Sequence, residues 1–243
     1  MNAVQLSGTL LHPRHILCNT QDSIDQTAGV YLKNRINRGW APVEESAQRT
    51  PIPESEKPGF RERLIPALAS TPANVRAQLV PLMQKILQND FPEQWPNFLD
   101  ITLQLLGGGD ANSVYAGLQC LLAICRVYRF KSGDKRDEFD RIVEHSFGQV
   151  LNIGTRLVDE ESLEAGEMLR IVVKSFKHAT YFELSPCLQT HQATVDWCTL
   201  FLRIIAKNPP ANSMVESKEE RESNHWWKCK KWSYANLNRL FIR

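Results

Sequence analysis

No stretch of this chain holds about eighteen consecutive apolar residues, the length a membrane-spanning helix needs. Nor is there a Cys-x-x-Cys pair. Cys18, Cys120, Cys125, Cys187, Cys198 and Cys229 are scattered, which argues against a secreted disulfide framework and for reduced cytosolic or nuclear thiols. Net charge is almost absent: 29 basic against 27 acidic residues leave a formal +2, too little for the global field of a polyanion binder, so any charged patch must be local. The opening MNAVQLSGTLLHPRHILC lacks the basic, apolar and small-residue succession of a secretory signal. Gly107, Gly108 and Gly109 lack the following Lys and Ser or Thr of a phosphate-cradling loop. No segment alternates with period two over a useful length, so strands are not expected.

What the chain does contain is helical spacing. From Val75 to Leu106 two apolar patterns flank a break. Val75, Leu79, Leu82, Met83, Ile86 and Leu87 recur at steps of three and four, and Trp95, Phe98, Leu99, Thr102, Leu103 and Leu106 repeat the spacing. Between them Asp90 is placed to cap the second helix and Pro92 to sit in its first turn, which predicts a helical hairpin. Such a hairpin cannot bury both apolar faces alone and needs neighbours of the same kind.

The chain supplies them. Upstream, residues 24–36 form a helix with Ala28, Tyr31, Leu32 and Arg35 on adjoining positions, ended at Gly39, with Trp40 packing back over its end. Residues 41–58, rich in proline, read as a loop, and Gly59 to Ala69 as a short helix. Downstream, helices are expected over Ala111 to Phe130, Phe139 to Leu157, Leu163 to Ala179 and Leu184 to Lys207, the last using Leu188, Val195, Cys198, Leu202 and Ile205. The polar run Asn208 to Asn224 reads as a solvated loop before a final aromatic helix, HWWKCKKWSYANLNRLFIR, whose Leu237, Leu240 and Phe241 have no later element to cover them. The expected class is all-α, a HEAT- or armadillo-like helical-repeat solenoid forming a right-handed superhelix of antiparallel helix pairs, truncated. Its expected parts are an irregular segment over 1–21, repeats over 22–207, a polar loop over 208–225 and the start of a further repeat over 226–243.

Several strings are specific enough to suggest kinship: VYLKNRI (Val30 to Ile36) followed by Gly39-Trp40, VRAQL with DFPEQWP (Val75 to Leu79, Asp90 to Pro96), and WWKCKKW with NRLF (Trp226 to Trp232, Asn238 to Phe241). In order and spacing they resemble the importin-β-like nuclear transport receptors, the karyopherins, and among them the subgroup of importin seven and importin eight. The resemblance covers roughly Ile24 to Arg243 and implies a scaffold shuttling between cytoplasm and nucleus through the pore. It implies three partners, namely protein cargo, the GTPase Ran in its GTP form, and Phe-Gly nucleoporins. It departs from the family pattern at Met1 to Gln21, where an irregular segment stands in place of the opening repeat. A helical-repeat scaffold with no transport role, or a truncated and non-functional receptor, is the alternative.

By the same resemblance Lys33, Asn34 and Arg35 lie near the GTPase-binding end and are the candidate partner-binding residues. The plainer reading makes Lys33 and Arg35 a solvated face and has Asn34 bond the adjacent turn. Trp95, after Phe91-Pro92, reads as core between hairpins rather than an exposed pocket. Lys228, Lys230 and Lys231 beside Trp226, Trp227 and Trp232 have the composition of a single-stranded nucleic-acid site. At i and i+4, however, Trp226 meets Lys230 and Trp227 meets Lys231, so lysine stems covering tryptophan faces is the favoured reading and no direct nucleic-acid partner is expected. His191 and Cys198 share a helix face but are two ligands where zinc needs four. Cys120 and Cys125, five apart at about 100° per residue, point apart. Glu160, Glu161 and Glu164 suit a helix N-terminus. No catalytic residue, cofactor, metal or membrane insertion is therefore expected.

Overall fold

The structure, a computed structural model, describes residues 22–41, 51–211 and 217–242, with side chains at 22–26 and 73 undescribed. The segment Met1 to Gln21, expected to be irregular, lies outside them, as does most of the proline-rich stretch between the first two helices. Among the described residues the chain forms ten α-helices, one 3-10 turn and no strand. They are α1 (Asp22–Gly39), α2 (Lys57–Ser70), α3 (Ala73–Asp90), α4 (Phe98–Leu106), α5 (Ala111–Tyr128), α6 (Asp134–Leu157), α7 (Leu163–Ala179), α8 (His191–Ala206), α9 (Lys218–Ser223) and α10 (His225–Ile242). They divide into two compact units, Met1–Pro96 and Asn97–Arg243.

In the first unit α1 and α3 face each other, and α2 packs on α3. The large buried side chains of α1 are Leu32 and Ile36, followed by Trp40, while Tyr31 is 62% exposed, so the apolar face lies one position on from the expected one. Trp40 organises this unit. Its amide closes on the Ile36 carbonyl at 3.0 Å, and Phe60 meets its ring edge-on at 6.0 Å. Asp90, expected to cap the following helix, is instead buried at the end of α3. Its carboxylate accepts from Trp40 Nε1 at 2.9 Å and from Arg61 Nη1 at 2.6 Å. The reason is distance along the chain: α4 begins only at Phe98, beyond reach of an Asp90 side chain. The hairpin expected across Val75 to Leu106 is likewise divided, α3 pairing with α1 and α4 with α5. Trp95 is buried, as its core reading required.

The second unit has two layers. Helices α4, α6 and α8 adjoin in succession in one; α5, α7 and α10 do so in the other, giving the pairs α4/α5, α6/α7 and α8/α10. Asp110, Ser162 and Thr190 accept from the amides of Ser113, Ala165 and Ala193 and so start α5, α7 and α8. Helix α6 starts earlier than expected, at Asp134, because Gly133 with φ +57° turns the chain and Asp134 and Asp137 suit the first turn. Helix α8 starts later, after the 3-10 turn Pro186–Leu188, and buries another face than expected. Trp197, Leu200, Phe201 and Ile204 point inward, whereas Val195 and Leu202 are 42% and 56% exposed. Two apolar stripes competed on this helix, and the one carrying aromatic rings wins because it removes more area from water. Trp197 lies 4.6 Å from Phe176 and 5.8 Å from Phe147, joining α8 to α7 and α6. The polar run after Asn208 contains α9, nucleated by a capping box between Ser217 and Glu220.

Helices α7 and α10 approach closely at Gly166, where an added Cβ would lie 2.7 Å from Trp226 Nε1. That contact sets the first of two predictions for stability. Gly166→Ala overpacks the α7/α10 seam and should destabilise the second unit by about 2 kcal/mol, whereas Gly148→Ala on α6, where a Cβ meets nothing within 4 Å, should stabilise it by roughly 0.5–1 kcal/mol. Thermal unfolding should move in opposite directions for the two alanines; a shared direction would refute the close approach. In the first unit Asp90→Ala leaves the buried Trp40 indole N–H and the half-buried Arg61 guanidinium without their acceptor and should speed amide exchange in α1 and α3 by an amount equivalent to about 3 kcal/mol. Combining it with Arg61→Met should restore part of the loss, and no restoration would mean that the ion pair is not what Asp90 contributes.

Candidate partner-binding surface

Helical spacing builds a cationic strip along the layer formed by α5, α7 and α10. At the end of α5 Arg126 and the capping residue Arg129 are three apart; on α7 Arg170, Lys174 and Lys177 step by four and three; on α10 Lys228 and Lys231 step by three. Because the three helices adjoin, the stripes adjoin too. A groove of about 420 Å³ opens between α7 and α10, flanked by α9, and its lining holds six basic side chains against the single carboxylate of Glu222.

The electrostatics record this crowding. Burial, followed by repulsion from Arg170, Arg126, Lys228 and Lys177, lowers Lys174 to about 8. Burial and then Arg129, Arg239 and Lys231 lower Lys177. His178 is pushed down to about 3 by burial, with Arg126, Arg129, Lys177 and Lys174 adding to it, and is held neutral. Beside the groove, hydrogen bonds join α7 to α5 and α10. Gln119 donates to Tyr115 Oη at 2.9 Å, Tyr115 to Glu167 at 3.1 Å, and Arg170 Nε to His225 Nδ1 at 3.0 Å. Burial and Arg170 lower His225, consistent with a neutral ring accepting that bond.

Tryptophans of α10 sit under cations, though not the expected ones. Trp226 is buried, donates to the Ser162 carbonyl at 3.2 Å and lies under Lys207 at 4.9 Å. Lys230 reaches away to the Ile205 carbonyl at 2.7 Å, near the negative end of α8. Lys231 lies over Trp232 at 5.5 Å rather than Trp227, while Lys177 sits 3.7 Å from the Trp232 centroid and Arg221 lies 5.6 Å from that of Trp227. Beyond Lys177 the strip ends on an exposed aromatic trio, Phe130, Tyr181 and Phe182, whose rings lie 5.3–5.6 Å apart, with Arg129 3.6 Å from the Tyr181 centroid.

Lys33, Asn34 and Arg35 lie on α1 in the first unit. Lys33 Nζ donates to Gln78 Oε1 at 2.7 Å, Arg35 Nη2 donates to the Pro51 carbonyl at 3.1 Å, and Asn34 is exposed. Cys120 and Cys125 are buried; burial pushes the Cys120 thiol up to about 12 and raises Cys125 further, which leaves both protonated and unreactive. His191 is exposed and Cys198 half-buried on α8, and among the described residues no three His, Cys, Asp or Glu side chains are grouped to hold a metal. Glu164 lies in the first turn of α7 as expected, with Glu160 and Glu161 exposed ahead of it.

Comparison with known proteins places this architecture. The importin-β N-terminal domain family matches residues 10–70. The chain is 31% identical, over 91% of its length, to "Nonsense-mediated mRNA decay protein 5" of Saccharomyces cerevisiae, and 34% identical, again over 91%, to "Importin beta-like SAD2 homolog" of Arabidopsis thaliana. To Importin-8 of Homo sapiens it is 25% identical over 90% of its length. It spans 22%, 21% and 22% of those three relatives, about a fifth of each. Among solved structures, the exportin Cse1 in its cargo-free, cytoplasmic state matches 92% of the chain with a TM-score of 0.71 at 18% identity, the chain covering 25% of it. The fold of that neighbour is a helical-repeat array, the arrangement of paired helices found here. A family match, relatives that share sequence over nine-tenths of the chain, and a common fold lead to one conclusion: the chain belongs to the importin-β-like receptors, the karyopherins, and matches their N-terminal portion.

Proposed function

We propose that the chain serves in nuclear transport as part of a receptor that binds protein cargo and the GTP form of Ran, moving between cytoplasm and nucleus through the pore. The observation that carries this reading is the sequence relationship to importins over nine-tenths of the chain. Layered helix pairs suit the task, because each pair contacts only its neighbours and small rotations between pairs add up along an array. Cargo and Ran then compete through one scaffold, and the coupling between them is a free energy that each exerts on the other equally. No chemistry is asked of the chain, and GTP hydrolysis belongs to Ran. Lys33, Asn34 and Arg35 are assigned to the Ran-facing end; Asn34 is exposed and Lys33 half-buried, which supports their being within reach of a partner. The exposed Val195 and Leu202 of α8 offer the apolar contacts a Phe-Gly repeat of a nucleoporin would use.

A pull-down against Ran loaded with GTP, and in parallel with GDP, tests the reading. Capture selective for the GTP form is expected, weakened roughly threefold to tenfold by joint Lys33→Ala and Asn34→Ala substitution. Binding to neither form, from a sample shown to be helical and monomeric, would overturn it in favour of a helical-repeat scaffold without a transport role.

A further inference from the structure

The groove between α7 and α10 is built from donors. Lys174, Lys228 and Lys231 form no ion pair among the described residues, and the Trp227 indole Nε1 is buried without a hydrogen-bond partner. Burial lowers Lys174 and Lys177 first and the neighbouring cations lower them further, so a ligand bringing negative charge offsets a repulsion already present in the fold. These cations do not converge on a point. They are spread over α7, α9 and α10, which fits an extended ligand with several separated charges rather than a single small anion. The rings argue against nucleic acid: Lys177 already occupies a face of Trp232 and Arg221 one of Trp227, leaving poor platforms for base stacking, and a chain of formal charge +2 lacks the wider basic field that binding to a phosphate backbone uses.

We propose that this groove is a docking site for a Glu- and Asp-rich segment of a partner protein, its carboxylates spread along the lysines of α7 and α10. At about 420 Å³ the groove is in the range of ligand pockets, roughly 300–1,000 Å³, and takes a short extended stretch of chain. The site stands whether or not Ran binds, because it lies wholly within the second unit.

The test is fluorescence anisotropy of a fluorescein-labelled oligoglutamate peptide titrated with the full 243-residue chain, with labelled oligolysine and oligothymidylate in parallel. Oligoglutamate should bind, more weakly as salt rises, and oligolysine should not. Joint Lys228→Glu and Lys231→Glu substitution should weaken binding by roughly tenfold or more, whereas Arg141→Glu, the same kind of charge reversal on exposed α6, should change it by less than about twofold. Should the reversal variant lose helicity, Lys228→Gln with Lys231→Gln carries the test, with a loss of roughly threefold expected. The proposal is overturned by a folded chain that does not bind oligoglutamate, by unchanged affinity in the glutamine variant, by equal loss in Arg141→Glu, or by tighter binding of oligothymidylate.

Discussion

How near α10 can come to α7 determines most of the second unit, and Gly166 sets that limit. With no side chain at this position, the Trp226 ring lies directly against the α7 backbone and donates its indole N–H to the Ser162 carbonyl. From there the two helices are joined along their length: Cys229 Sγ donates to the Gly166 carbonyl, Asn236 Nδ2 to that of Val173 at 3.0 Å, and Arg239 to those of Lys177 and Thr180. Asn236 is only 1% exposed, so its bond forms without competing water and fixes the register of the helices. Helix α7 also contacts α5 and α6, and the aromatic group around Trp197 joins α8 to the same core.

The close seam has an electrostatic cost. Lys174 shows it most clearly, because burial lowers it first and the cations held near it on facing helices lower it further. Its folded value of about 8 lies below the ordinary 10.5, so the native state gives up this proton before the unfolded chain does. The unfolded chain therefore binds more protons between those two values, and the contribution of Lys174 to stability improves as pH rises through 8 toward 10.5. Below about 8 the cost of holding a part-buried charge among other cations acts in full, and apolar burial at Trp226 and Leu237 opposes it.

Much of the architecture was legible in the sequence because the helices are long and periodic. Leu163 to Ala179 is found with the expected limits, where Ser162 caps one end and Lys177 suits the other. The less regular features depended on competition that spacing alone cannot resolve. Helix α8 has two apolar stripes, and only the space available to Trp197 and Phe201 in the core decides between them. Asp90 has the look of a cap, but a buried indole and a guanidinium claim it first. Ser217 and Glu220 do carry the signature of a capping box, a local signal outweighed by the polar composition around it.

The cationic strip was only partly legible, and its construction explains why. The string WWKCKKW displays two of its members, Lys228 and Lys231, yet Arg126, Arg129, Arg170, Lys174 and Lys177 sit far upstream among helices that otherwise read as core. Whole-chain charge hides them, since acids elsewhere bring the sum to +2. Tryptophan beside lysine on one helix resembles a stacking platform for bases, and the helical wheel correctly implied that cations would cover the rings. The partners are nevertheless mostly supplied by other elements: Lys207 from the segment after α8, Arg221 from α9, and Lys174 and Lys177 from α7. Pairing across helices fixes the rings and the ammonium groups together. An acidic ligand therefore meets Lys174, Lys177 and Arg221 already held against rings, and loses less entropy in binding them than it would in binding freely moving side chains.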